Sequence, residues 1–89
     1  MLKAYEMDWR DVELGKPIEV GDIVTSFRGE RAKLLACDRM NEFRYGGRRS
    51  GKVYVEWIDG HAGSKYEYYD NVFNITVIDP EFEKMYNKE

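Results

Sequence analysis

Five short runs rich in β-branched and aromatic residues, each bounded by glycine or by an Asp or Asn turn, fill the chain from Ile23 to Asp79, and no helical period separates them. Parallel strands need a crossover of a dozen or more residues, so this punctuation restricts the chain to an antiparallel sheet built from tight turns. The first run, Ile23 to Phe27, is opened by Gly21-Asp22 and closed by Arg28-Gly29. The second, Arg31 to Cys37, places Ala32, Leu34 and Ala36 on one face and Lys33, Leu35 and Cys37 on the other. In Lys52 to Ile58, Val53, Val55 and Trp57 point one way and Lys52, Tyr54, Glu56 and Ile58 the other, and Asp59-Gly60 makes the turn that follows. Lys65 to Tyr69 and Asn74 to Asp79 complete the set.

The ends read differently. Asp79-Pro80-Glu81 has the order of an N-cap, a first-turn proline and a first-turn acid, and Phe82, Met85 and Tyr86 follow at helical spacing, so a short C-terminal helix is expected over 80–89. Tyr5, Trp9 and Val12 fall roughly on one helical face, so the N-terminal segment is expected to be helical where it docks. The fold expected is therefore mainly β: a small five-stranded antiparallel SH3-like barrel over 20–79, with an N-terminal extension over 1–19 and short terminal helical segments, all in one domain. An OB-like barrel is second, because the turn from Gly60 to Ser64 leaves no room for a helix between its third and fourth strands.

At 89 residues, with 43% hydrophobic and 35% charged side chains, the chain is expected to form a single soluble core. Its apolar runs are too short for a spanning helix or a signal-peptide core, so no membrane partner is expected and the cytoplasm is the expected compartment. The lone Cys37 can form neither an internal disulfide nor a cysteine-based zinc site.

Fourteen basic and seventeen acidic residues hide a segregation. Residues 1–27 carry three basic and six acidic groups, 28–52 eight and three, and 53–89 three and eight, giving −3, +5 and −5. The basic middle contains the candidate binding stretch: Arg39, Arg44, Arg48, Arg49 and Lys52, interleaved with Phe43 and Tyr45 around Gly46-Gly47. Guanidinium groups beside aromatic faces suit phosphates and bases, and equally suit carboxylates on an acidic protein patch. The bland reading of the same stretch is a solvated loop between strands.

Tyr54, Tyr66, Tyr68 and Tyr69 near Trp57 are read as core and edge packing, with a binding surface or a cage for methylated cations as the alternative. Tyr69 to Phe73 is read as a tight helical turn capped by Asp70 or Asn71. Catalytic signals are missing. Any Ser-His-Asp or Cys-His set would have to use the single His61, no glycine loop leads into a helix to cradle phosphate, and Glu30, Glu42, Glu56 and Glu67 have no cleft in a filled barrel to shift their ionisation. The expectation is a non-enzyme with no cofactor and no metal.

Three stretches together resemble a family of short bacteriophage-encoded proteins: Gly21-Asp22-Ile23-Val24-Thr25-Ser26-Phe27-Arg28-Gly29-Glu30, Ser50-Gly51-Lys52-Val53-Tyr54-Val55, and Glu67-Tyr68-Tyr69-Asp70-Asn71-Val72-Phe73. The likeness runs from Val20 to Ile78. It implies an SH3-like barrel and a viral accessory role, and no activity. The glycine and valine positions are also similar to those of KOW and Tudor-type barrels, at the level of fold. The function expected is binding of a host macromolecule, first a bacterial defence or transcription protein with an acidic patch. A nucleic-acid module using 39–52, a structural virion component and a homo-oligomer are the other readings. Cations and carboxylates intermixed on one face would favour a protein partner, and a basic face with an acidic back would favour nucleic acid.

Overall fold

The computed structural model describes residues 2–8, 13–40 and 51–81, and within them the strand-forming runs become seven strands in two antiparallel sheets. The strands are β1 (Lys3–Asp8), β2 (Glu13–Ile18), β3 (Ile23–Thr25), β4 (Arg31–Met40), β5 (Gly51–Trp57), β6 (Lys65–Tyr69) and β7 (Ile75–Ile78). A 3-10 turn, Asp70–Phe73, separates β6 from β7. One sheet has the order β3-β4-β5-β6 and the other β2-β1-β7. Among the described residues the two are not hydrogen-bonded into one closed sheet.

The four-stranded sheet is the meander that the turn residues call for. Its first turn is held by Ser26, whose buried Oγ accepts the N–H groups of Arg28 and Glu30, both at 3.2 Å. Gly29 takes the positive φ of 85° that this turn requires. The N–H of Phe27 then donates to the carbonyl of Val72 at 2.9 Å, tying the turn to the 3-10 segment. β5 is the central strand: Val53 and Val55 are fully buried, and with Val24, Ala32 and Leu34 they form one wall of the core. The opposing wall is Ala4 from β1 and Ile75 and Val77 from β7, with Phe73 closing one end. Because β7 packs against β4 and β5 as well as pairing with β1, all four of its residues are buried.

The N-terminal segment is extended, which corrects the helical expectation: it supplies β1 and β2, while the five strands expected within 20–79 correspond to β3 to β7 among the described residues. β1 pairs with β7 from Lys3, opposite Ile78, to Glu6, opposite Ile75, and with β2 on its other side. Ala4 and Met7 are its buried residues, three apart, because the pairing with β2 slips between Tyr5 and Met7. The helical expectation rested instead on Tyr5, Trp9 and Val12, of which Tyr5 lies in the extended β1. Trp9 and Val12 of the expected helical face lie outside the described residues, as do Phe82, Met85 and Tyr86 at the other end. Pro80 and Glu81 have helical backbone, and the Glu81 N–H donates to Asp79 Oδ1 at 3.0 Å in the manner of an N-cap.

β4 departs from simple alternation in the same way. Irregularities between Leu34 and Ala36 and between Cys37 and Arg39 place Ala36 opposite Tyr54 and Cys37 opposite Val53. Cys37, not Ala36, therefore shares the core side with Leu34, and burial raises its thiol pKa, with the Asp70 charge adding to the effect.

Candidate protein-binding surface

Strand alternation gives β5 two faces, one toward the core and one outward. Register then builds the outward face row by row. Lys33, Glu56 and Lys65 stand in one cross-strand row, Ala36, Tyr54 and Glu67 in the next, and Arg39, Lys52 and Tyr69 in the third. Lys52 Nζ lies 3.6 Å from Glu67 Oε1 and 4.9 Å from the centre of the Tyr69 ring, so its charge is shared between a carboxylate and an aromatic face. Arg39 Nε is 3.8 Å from Asp38 Oδ2, and its side chain is 67% exposed. Tyr54 and Tyr69 are exposed as well, Tyr69 at 58%.

Of the seven residues expected from sequence to form the site, Arg39 and Lys52 are direct cross-strand partners where β4 ends and β5 begins. Phe43, Arg44, Tyr45, Arg48 and Arg49 lie outside the described residues. Tyr54, Glu67 and Tyr69 share this outward face without having been assigned to the site. The alternation of 52–58 already sets Tyr54 beside Lys52 on the outward face, and that of 65–69 separates Tyr69 from the core positions; only the register between the strands, which no local pattern reveals, sets Tyr69 beside Lys52.

The core-side aromatics form a separate group. Trp57 is half-buried, and its ring meets Tyr68 edge-on at 5.4 Å while its Nε1–H donates to the Tyr68 hydroxyl at 3.0 Å. Phe73 lies 5.6 Å from Trp57 and 6.0 Å from Tyr68, and Tyr66 lies 6.3 Å from Tyr68. These rings pack on one another, whereas a cage for a cation needs their faces open.

The expected cap of the 3-10 turn is corrected. Its N-cap position is Tyr69, without a side-chain cap, and Asp70 is instead fully buried. Asp70 Oδ2 accepts the N–H of Gly51 at 2.8 Å and of Val77 at 2.9 Å, while Oδ1 has no partner among the described residues. Burial raises this carboxyl's pKa to about 6 against the opposing effect of the N–H donors. The root of β5, next to Lys52, is thereby anchored to β7.

No group of three or more His, Cys, Asp or Glu side chains among the described residues is placed to hold a metal ion, and His61 is exposed in the turn between β5 and β6. No described helix is long and apolar enough to cross a membrane. In comparisons with known proteins, no family model, no curated protein and no solved structure matches the chain.

Proposed function

We propose that this chain is a non-enzymatic binding module of the bacteriophage accessory type that engages a host protein through the outward face of β4, β5 and β6. The observation that carries this reading is the mixture of charge on that face. Lys33, Glu56 and Lys65 alternate along one row, and Glu67 sits against Lys52 in the rows beside it. A nucleic acid laid on the face would meet Glu56 and Glu67 along with the cations, whereas a protein can match each sign in turn. Exposed Tyr54 and Tyr69 add the aromatic area that protein interfaces favour. At the Arg39 and Lys52 end the face becomes basic, and the sequence between these two residues adds Arg44, Arg48 and Arg49, a composition that suits an acidic patch on the partner.

For the architecture we infer an SH3-like arrangement. Its support is the β3 to β6 meander, the 3-10 turn before the last strand and the return of β7 against β4 and β5, with β1 and β2 lying alongside β7. The bacterial cytoplasm is the compartment that accords with this role.

The test compares wild type with Arg39→Glu/Lys52→Glu and with Tyr54→Ala/Tyr69→Ala as bait in a bacterial lysate, with single-stranded and duplex DNA binding measured in parallel. Capture of one protein by wild type, lost with both variants, is the expected result. Tight DNA binding that weakens steeply with salt, and that the charge reversals abolish, would replace this reading with the nucleic-acid one.

A further inference from the structure

The four-stranded sheet ends at β6, and among the described residues no strand pairs with its far side. Trp57 donates its N–H to the carbonyl of Ser64 at 2.9 Å, so hydrogen-bonded pairs recur every second residue from there, at Val55 with Tyr66 and at Val53 with Tyr68. Tyr66 and Tyr68 thus spend their backbone groups on β5. Lys65, Glu67 and Tyr69 direct theirs outward, and among the described residues nothing pairs with this five-residue edge.

An antiparallel strand related by a two-fold axis can use this edge only if outward-pointing residues face one another. Three registers satisfy that condition for at least two of the outward residues of β6, with the axis at Tyr66, at Glu67 or at Tyr68. An axis at Glu67 sets two carboxylates directly opposite, which is unfavourable. An axis at Tyr68 pairs Glu67 with Tyr69 and leaves Lys65 beyond the paired strand. An axis at Tyr66 places Lys65 opposite Glu67 of the second copy, twice, on one face, and Tyr66 against Tyr66 of the second copy on the other. Lys65 has no ion-pair partner among the described residues, and Tyr66 is 56% exposed. In the same register Tyr69 falls opposite Gly63, where nothing stands within 4 Å of the point at which a side chain would begin.

We propose that β6 pairs with β6 of a second copy of this chain, antiparallel and centred on Tyr66, making one continuous eight-stranded sheet. The charge pattern of the edge is complementary to itself in that register and repulsive in the neighbouring one. This goes beyond the partner-binding reading and does not depend on it. A contact of this length is small, so the dimer forms at high concentration and exchanges readily.

Sedimentation equilibrium up to about 1 mM tests the association, in the range where small interfaces are populated. Wild type should dimerise. Lys65→Glu and Glu67→Lys should each weaken the dimer by on the order of tenfold, and the Lys65→Glu/Glu67→Lys exchange should recover most of the loss, because it restores both cross-strand pairs. Circular dichroism confirms that each variant is folded. Crosslinking tests the register independently. In a Cys37→Ser background, Tyr66→Cys should oxidise to a disulfide-linked dimer, since residues facing across a non-hydrogen-bonded antiparallel pair approach within disulfide reach. Tyr69→Cys should not, because its copies lie far apart along the paired strands. A wild type that remains monomeric throughout, or a Tyr69→Cys variant that crosslinks as fast as Tyr66→Cys, overturns the proposal. Strand addition by an unrelated protein in place of the second copy would overturn it too.

Discussion

Asp70 and Gly51, nineteen residues apart in sequence, are joined by a buried hydrogen bond of 2.8 Å from the glycine N–H to the aspartate Oδ2. The same oxygen takes the N–H of Val77, so one carboxyl connects β5, the 3-10 turn and β7. It lies where the two sheets meet, and its second oxygen is buried with no partner among the described residues.

That environment sets a pH dependence. The folded pKa of Asp70 is raised from 3.8 to about 6, so between those values the native state holds a proton that the unfolded chain has released. Its contribution is complete below about pH 4 and is lost as the pH rises through 6, by at most about 3 kcal/mol. Asp59 has its pKa lowered by the Arg31 side chain, so its effect falls below pH 4, outside this window. Urea denaturation of wild type from pH 4 to 7 should show falling stability relative to Asp70→Asn, and parallel curves would disprove the assignment.

Gly51→Ala tests the same junction sterically. A Cβ there would run into the Arg39 carbonyl oxygen and lie 3.0 Å from Val77 Cβ, and a backbone oxygen held in a strand cannot yield easily. The substitution should destabilise by about 1–3 kcal/mol, the usual cost of overpacking. The denaturation midpoint should drop with an unchanged slope, and an unaltered midpoint would show that β4 and β5 separate here without cost.

Trp57→Ala removes the ring on which Tyr68 and Phe73 pack. Because the indole is half-buried, the loss should be about 2–3 kcal/mol, below the range for an aromatic fully enclosed in a core. Tyr68→Phe should cost about 0.5–1.5 kcal/mol by removing the acceptor of the indole N–H. In a double-mutant cycle with Trp57→Phe the two losses should be less than additive; full additivity would mean that the hydrogen bond contributes nothing in solution.

Arg39 and Lys52 should separate binding from folding. Lys52→Met gives up a partly exposed ion pair and a ring contact, so thermal stability should change by less than about 1 kcal/mol. If the Arg39→Glu/Lys52→Glu protein melts far below wild type, loss of partner capture by that variant would report unfolding rather than a missing contact.

Alternation and turn chemistry made the meander legible. Val53 and Val55 against Tyr54, the Gly29 turn and the Asp59-Gly60 turn were all read from residues close together in sequence. What escaped depended on distant partners. β2 contains Gly15 and Pro17, which argue against a strand until its place at the edge of its sheet is known, and β1 carries a slip that gives Ala4 and Met7 a helical interval. Asp70 reads as a cap because caps are local, yet its donors come from Gly51 and Val77. On the candidate surface, Arg39 and Lys52 were visible as cations, while their adjacency, and that of Tyr69, came from register.

The pairing of β1 with β7 has a consequence for synthesis. A ribosome delivers β1 long before β7, so the nascent β1–β2 hairpin must wait with one edge open and Ala4 and Met7 lacking their neighbours from the last strand. Contacts this far apart in sequence also slow the final closure. Chain arrest before Ile75 would leave the hairpin in the state most prone to capture by chaperones or to aggregation, and release of the last strand would end that exposure.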